Sequence, residues 1–300
     1  MTPRHAALLA CLWPLLAWAQ PVLGTPPRHA PPTLAEVPNA QAITQRIWAP
    51  GIDDGYVPQG VAWAGGRLYL SAYRSTDPAV GQGPCRVFQI DPAHGATLGW
   101  LDMPPGCGHA GGLVALDERT LVLGDTRRLY RIDLIAAFGP QADATRAITA
   151  TVGLRGALKA SSIAFDGQRL LLATHAAQPT QALAHWLPLA VLDTHNGSDI
   201  DESAATDRIA LPTKVQGTAF DSTGALWLST SDSRHGLLAR SDPPGQAPTA
   251  RHAMVIGMEG LAFDAQGALW SVSEAGSLRW QRWGVHYPVL FRIDPARLQD

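Results

Sequence analysis

No stretch of this 300-residue chain reaches the ~18 consecutive apolar residues that a membrane-crossing helix needs, so no membrane span is expected. Charge is also scarce. With 16% charged residues and a net charge of -2, the chain has no basic stripe to neutralise phosphates, which argues against nucleic acid as a partner. There is no GxSxG, HExxH or phosphate-binding loop, so the usual nucleophile, zinc and phosphate frameworks are missing. Cysteine occurs three times, never as CxxC, which leaves a structural zinc site without its ligand spacing.

One of those cysteines, Cys11, belongs to a leader. Arg4 and His5 precede an apolar core from Ala6 to Leu16 and a small-x-small site at Ala17-Trp18-Ala19, so residues 1–19 are predicted to be a secretory signal peptide. The protein is therefore expected to be secreted or periplasmic. "LLAC" at 8–11 has the form of a lipoprotein box, but the apolar segment before Cys11 is too short to favour lipid anchoring. In an oxidising compartment Cys85 and Cys107 are expected to form one disulfide, the alternative being two separately buried thiols. Residues 20–40 are rich in proline and alanine without period and read as a tether. Residues 41–300 form the single folded domain.

What the chain has in quantity is glycine (29), proline (24) and tryptophan (10), the composition of many short strands joined by turns. A phrase recurs five times: "PQGVAWAGGRLYLSAY", "AGGLVALDERTLVLGDT", "ASSIAFDGQRLLLATH", "VQGTAFDSTGALWLSTS" and "MEGLAFDAQGALWSVSE". Its anchors, Gly60, Gly112, Ser162, Gly217 and Gly260, are 52, 50, 55 and 43 residues apart. Each copy reads as strand, tight turn, strand. A third strand is expected at 86–91, 128–133, 189–193, 237–242 and 289–294. A fourth precedes each following copy, and "TQRIWA" at 44–49 supplies the one missing from the last. The predicted fold is all-β: a five-bladed β-propeller of four-stranded blades, the last closed by an N-terminal strand.

"EGLAFDAQGALW" and "VQGTAFDSTGALW" resemble the blade motif of NHL and SMP-30/gluconolactonase-like propellers, over nearly all of residues 44–297. The resemblance implies a ligand site at the mouth of the central channel. In the gluconolactonase-like group it also implies a divalent cation held by a glutamate, asparagines and an aspartate. Glu259 matches that glutamate in kind, but the other blades present Gln59, Gly111, Ser161 and Gln216 instead.

Topology then distributes the candidates. Loops into first strands carry Asp53, Asp54, Gln59, His109, Lys159, Ser161, Lys214, Gln216 and Glu259. Ends of second strands carry Tyr73, Thr126, His175, Ser231 and Glu274, and long loops follow in blades one, three and five with Arg74, His185, Trp186, Arg279, Trp280 and Trp283. The leading expectation is a monomer that binds a small polar or anionic ligand at this mouth through Gln59, Ser161, Gln216, Glu274, Arg74, Arg279, Trp280 and Trp283. Tryptophan stacks on apolar faces and arginine forks onto anions. A second reading is a lactonase- or esterase-like hydrolase with Glu259, His109 and His175 as catalytic groups. Calcium accepts amide and carboxylate oxygens, so it is a candidate cofactor on Glu259, Gln59, Gln216, Asp53 and Asp54. A third reading is a protein-interaction scaffold. Against all three stands a plain ring of hydrogen-bonded polar groups around a water-filled channel.

Overall fold

The computed structural model describes residues 21–300, so the expected signal peptide, Cys11 included, lies outside the described residues. The strands form five antiparallel sheets arranged as a five-bladed β-propeller. Blade one comprises Tyr56–Ala64, Arg67–Arg74, Cys85–Ile90 and Thr97–Asp102. Blade two comprises Gly112–Ala115, Thr120–Asp125, Arg128–Asp133 and Ile148–Leu154. Blade three has Ser162–Phe165, Arg169–Ala173, Leu183–Pro188 and Asp207–Ala210. Blade four has Val215–Phe220, Leu226–Ser231, Gly236–Ser241 and Ala250–Met254. Blade five takes Met258–Phe263, Leu269–Ser273 and Val289–Ile293 from the C-terminal end and Ile43–Trp48 from the N-terminal side. That closing strand runs antiparallel to its neighbour, from Ile43 opposite Ile293 to Trp48 opposite Val289.

Alternation along each strand buries one set of side chains against the preceding blade and the other against the next. The core accordingly divides into five apolar clusters, one per seam between blades. Leu68, Leu70 and Phe88 of blade one meet Ile47, Val272 and Leu290 of blade five, fixing the seam where the ring closes. Innermost strands approach so closely that a Cβ on Gly217 would collide with the Glu259 carbonyl, and one on Gly260 with the Val61 amide. The repeated glycines are therefore a packing requirement of the ring. Second-strand serines stitch it together: Ser71 Oγ donates to the Ala110 carbonyl at 2.8 Å and Ser229 Oγ to that of Glu259 at 2.7 Å.

Asp221 and Asp264 prove to be turn residues, as their "AFD" setting implies. Each accepts the indole N–H of the tryptophan six positions on and a guanidinium N–H from the third strand. Cys85 and Cys107 form the expected disulfide, with Cα atoms 5.7 Å apart, which accords with an oxidising compartment. No helix among the described residues is long and apolar enough to cross a membrane.

Two expectations need correction. The third strand of blade three is Leu183–Pro188, not 189–193; Val191–Thr194 is instead a helical turn burying the adjacent Val191 and Leu192. His185 and Trp186 therefore sit in a strand, with Trp186 stacked on Phe220, and not in a loop over the mouth. The chain beyond that turn adds Asp199–Ile200 in parallel to the edge of blade two. Residues 21–39, read as a tether, lie against the propeller: Leu23 bridges to the closing strand and Val22, Leu34 and Val37 pack on the blade-four and blade-five core. Their apolar residues are too few to show a period, yet enough to bind one surface.

Candidate functional site

The channel is polar at one end and apolar at the other. Trp63, Phe165, Phe220 and Phe263 line a small apolar cavity of ≈ 150 Å³ where first strands end. Where first strands begin, a cavity of ≈ 350 Å³ is lined by Gln59, Gln216 and Glu259, which lie within the first strands and not in the loops expected for them, and by Ser161, which immediately precedes one. Tyr73, Thr126, His175 and Glu274, from the ends of second strands, join them. Two equivalent positions, read from one repeated phrase, thus converge on a single cavity. His109, Lys159, Arg279 and Trp280 complete its walls.

At its floor two carboxyls are buried together. Glu259 is 2% and Glu274 6% exposed. The Glu274 Oε2 accepts a hydrogen bond from Gln59 Nε2 at 3.2 Å, and the same amide donates to the Pro58 carbonyl at 2.8 Å. Glu259 Oε1 is buried without a partner. Desolvation raises both acids, that of Glu274 to about 7 and that of Glu259 well above the usual glutamate value, where the neighbouring Glu274 charge adds to the effect. Two carboxyls so placed titrate as a pair that holds a proton at neutral pH.

The histidines on the walls are shifted the opposite way. His109 stacks on Tyr73 with ring centroids 4.4 Å apart and donates its Nδ1–H to the Gly81 carbonyl at 2.7 Å. That tautomer leaves Nε2 as the basic nitrogen. Burial pushes the His109 pKa down, and burial together with the nearby His109, Lys214 and Lys159 does the same to His175. Both rings are therefore neutral acceptors near pH 7. Lys159 has no ion-pair partner among the described residues, whereas Lys214 is held by Asp232 at 2.7 Å and does not line the cavity.

The roof comes from blade five and is locked to blade one. Arg279 donates to the carbonyls of Asp77 and Pro78 and to the Tyr73 hydroxyl. Its guanidinium lies over the Trp280 ring, 4.3 Å from the centroid. Trp280 stacks on Trp283 at 4.7 Å, and its indole N–H lies beside Glu274 without completing a hydrogen bond of ordinary geometry. Trp283 does not line the cavity; it packs over Gly257, next to the Glu274 side chain.

Three other predicted site residues stand outside the cavity. Arg74 turns outward and donates to the Asp54 carbonyl at 2.9 Å. Asp53 accepts from the backbone N–H of Arg28 and from the ring of His29, both in the segment before the first blade. The Asp53 carboxylate is thus engaged elsewhere, and neither Asp53 nor Asp54 lines the cavity where the calcium set was expected. What is left is Glu259, Gln59 and Gln216, with Glu274 beside them. Calcium takes six to eight oxygens, and Gln59 points its amide nitrogen, not its oxygen, at Glu274. This donor set fits a shared proton and not calcium. The residues that sequence reasoning left out of the site are Tyr73, Thr126 and Lys159, which the alignment of copies did bring to the mouth, and Gly81 and Gln82, which carry no signal.

No protein-family model matches the chain, and no curated protein matches it. Among solved structures it is similar to the glutaminyl cyclase of Myxococcus xanthus, with a TM-score of 0.53 and 11% identity over 84% of this chain and 94% of that one. A luciferin-regenerating enzyme gives a TM-score of 0.46 and 10% identity over 81% and 92%. At such identity the likeness to the cyclase is one of fold: a β-propeller that occurs among enzymes.

Proposed function

We propose that this protein is an enzyme that binds a small polar substrate in the cavity and performs acid–base chemistry on it, of the acyl-transfer class. The observation that carries the reading is Glu259: a carboxyl buried beside a second carboxyl on the wall of the cavity, with one oxygen that takes no hydrogen bond from the protein.

In this reading the protonated member of the Glu259–Glu274 pair donates to the departing atom of an ester, lactone or amide. Nε2 of His109, or the His175 ring, takes the proton of the attacking group. Lys159 and Arg279 stabilise the negative charge that develops on the acyl oxygen. The blade-one and blade-five loops are clamped to each other through Arg279 and do not stand free, which supports a small ligand over a protein partner. The resemblance of "EGLAFDAQGALW" to gluconolactonase-like blades makes acyl chemistry the natural first class to test.

The test is a panel of lactones, short esters and amides, including an N-terminal glutaminyl peptide, with wild-type protein and Glu259→Gln. Turnover of at least one class that is lost in the variant is expected. Binding without turnover of any class would reduce the protein to a ligand-binding propeller.

A further inference from the structure

A second cavity, of ≈ 360 Å³, opens directly from the first. It shares Gln82, His109 and Thr126 with it and runs over blade two between Arg127, Arg128 and Arg155. The three arginines differ in how they are held. Arg155 is committed to Asp199, at 2.7 Å. Arg127 and Arg128 form no ion pair with any described residue; Arg127 Nη1 donates to the carbonyls of Gly156 and Leu158, and Arg128 Nη1 to that of Gly106, each at 3.0 Å. Backbone carbonyls orient a guanidinium without neutralising it. Arg128 also lies in hydrogen-bonding reach of the Tyr130 hydroxyl; these neutral partners leave both forks charged, with N–H groups to spare.

The backbone shows that this presentation is imposed. Both arginines follow Thr126, at the turn between the second and third strands of blade two, which has φ 25° although it is not glycine. Thr126 is pinned there by paired backbone bonding with Ala160 of blade three. A β-branched residue in that region is strained, and strain of this kind persists where surrounding structure enforces it. Of the two acids in the groove, Asp199 serves Arg155 and Asp125 accepts the His109 backbone N–H at 2.7 Å. A backbone N–H does not cancel the Asp125 charge, so three guanidiniums face two carboxylates and the groove keeps a single surplus positive charge next to the cavity floor.

We infer that this groove is a second subsite for an anionic tail, so that the substrate is an extended molecule with its reacting polar group in the central cavity and a carboxylate held by Arg127 and Arg128. The inference rests on the proposed acid–base site for what occupies the central cavity. It adds the substrate class: an acyl compound bearing a carboxylate several bonds away from the reacting centre.

The probes are ω-amic acids, with a primary amide at one end and a carboxylate at the other, of increasing methylene count. Each is paired with the corresponding diamide. Binding is read by titration calorimetry on the whole chain, with wild type, the Arg127→Gln/Arg128→Gln double variant and Glu259→Gln. The wild type is expected to prefer the amic acid over the diamide by about fivefold to tenfold at one optimal length, as for a charge-assisted fork in a partly open groove. The double variant should lose that preference and keep its affinity for the diamides. Equal affinity for acid and diamide at every length, no binding at millimolar concentration, or survival of the preference in the double variant would overturn the inference. Failure of the acid–base reading looks different: the arginine-dependent preference is present, yet no amic acid or diamide is turned over and Glu259→Gln leaves the affinity for the diamides unchanged.

Discussion

Gln59 and Glu274, 215 positions apart in sequence, meet at the cavity floor through a 3.2 Å hydrogen bond from the Gln59 amide to Glu274 Oε2. That bond separates the two buried acids. Glu274 has a donor that favours its ionised form, whereas Glu259 Oε1 has none. Removing the donor with Gln59→Leu is expected to move the Glu274 midpoint above about 7, measured by NMR titration of labelled glutamate carboxyls. A midpoint that stays in place would show that the amide does not govern the pair.

Stability should depend on pH through this pair. A folded chain keeps the Glu274 proton up to about pH 7, while an unfolded chain releases it near 4.5, so the native state binds more protons across that window. Stability is therefore complete below the window and falls as pH rises through it, and Glu259, whose pKa is raised well above the usual value, extends the fall to more alkaline pH. Melting temperatures recorded from mildly acidic to alkaline buffer should show the decline. Glu274→Gln should flatten it, and should melt higher than wild type at alkaline pH. A wild-type profile that rises over this window would contradict the assignment.

The disulfide closes a loop between residues 22 apart. Replacing both Cys85 and Cys107 by serine should cost about 2–4 kcal/mol, chiefly through the freedom restored to the unfolded chain. Alkylation without reductant, followed by intact-mass measurement, should label neither sulfur in wild type. Labelling of both would mean that the mature protein carries free thiols.

The ring depends on the strand Ile43–Trp48. Deleting residues 41–49 strips Ile47 and Trp48 from the seams and leaves the edge of blade five unpaired, so cooperative unfolding should be lost. Calorimetry that returns the wild-type transition would remove strand closure as a requirement of the fold.

The donor set of the cavity leaves it without a calcium requirement. Dialysis against a chelator is expected to change neither the melting temperature nor ligand affinity, while calcium binding with a rise in melting temperature would reverse that reading.

Most of the fold was legible because one phrase recurs with its glycine, its "AFD" turn and its second-strand leucines in step, and the ring fixes where equivalent positions go. Blade three escaped at "LAVLD", where adjacent Val191 and Leu192 suit a buried turn as well as a strand, and nothing local distinguishes the two. The lining of the cavity was legible where it follows the repeat, as at Gln59, Ser161, His175, Gln216, Glu259 and Glu274. It failed where position depends on a distant segment. Asp53 was drawn to the mouth by topology, but its partners, Arg28 and His29, come from a stretch without periodicity. The outward turn of Arg74 and the packing of Trp283 over Gly257 are likewise tertiary facts. Neither could be read from the composition of their loops.

Infrared difference spectroscopy of the carboxyl groups addresses the account at its centre, since it sees directly whether the floor holds a proton at neutral pH. Wild-type protein at pH 7 is expected to show the C=O band of buried carboxylic acid, which vanishes on titration to alkaline pH and is reduced in Glu259→Gln to the contribution of Glu274. A spectrum at pH 7 with only ionised carboxylates, or a band that Glu259→Gln leaves unchanged, would contradict a proton-holding pair and with it the proposed acid–base function.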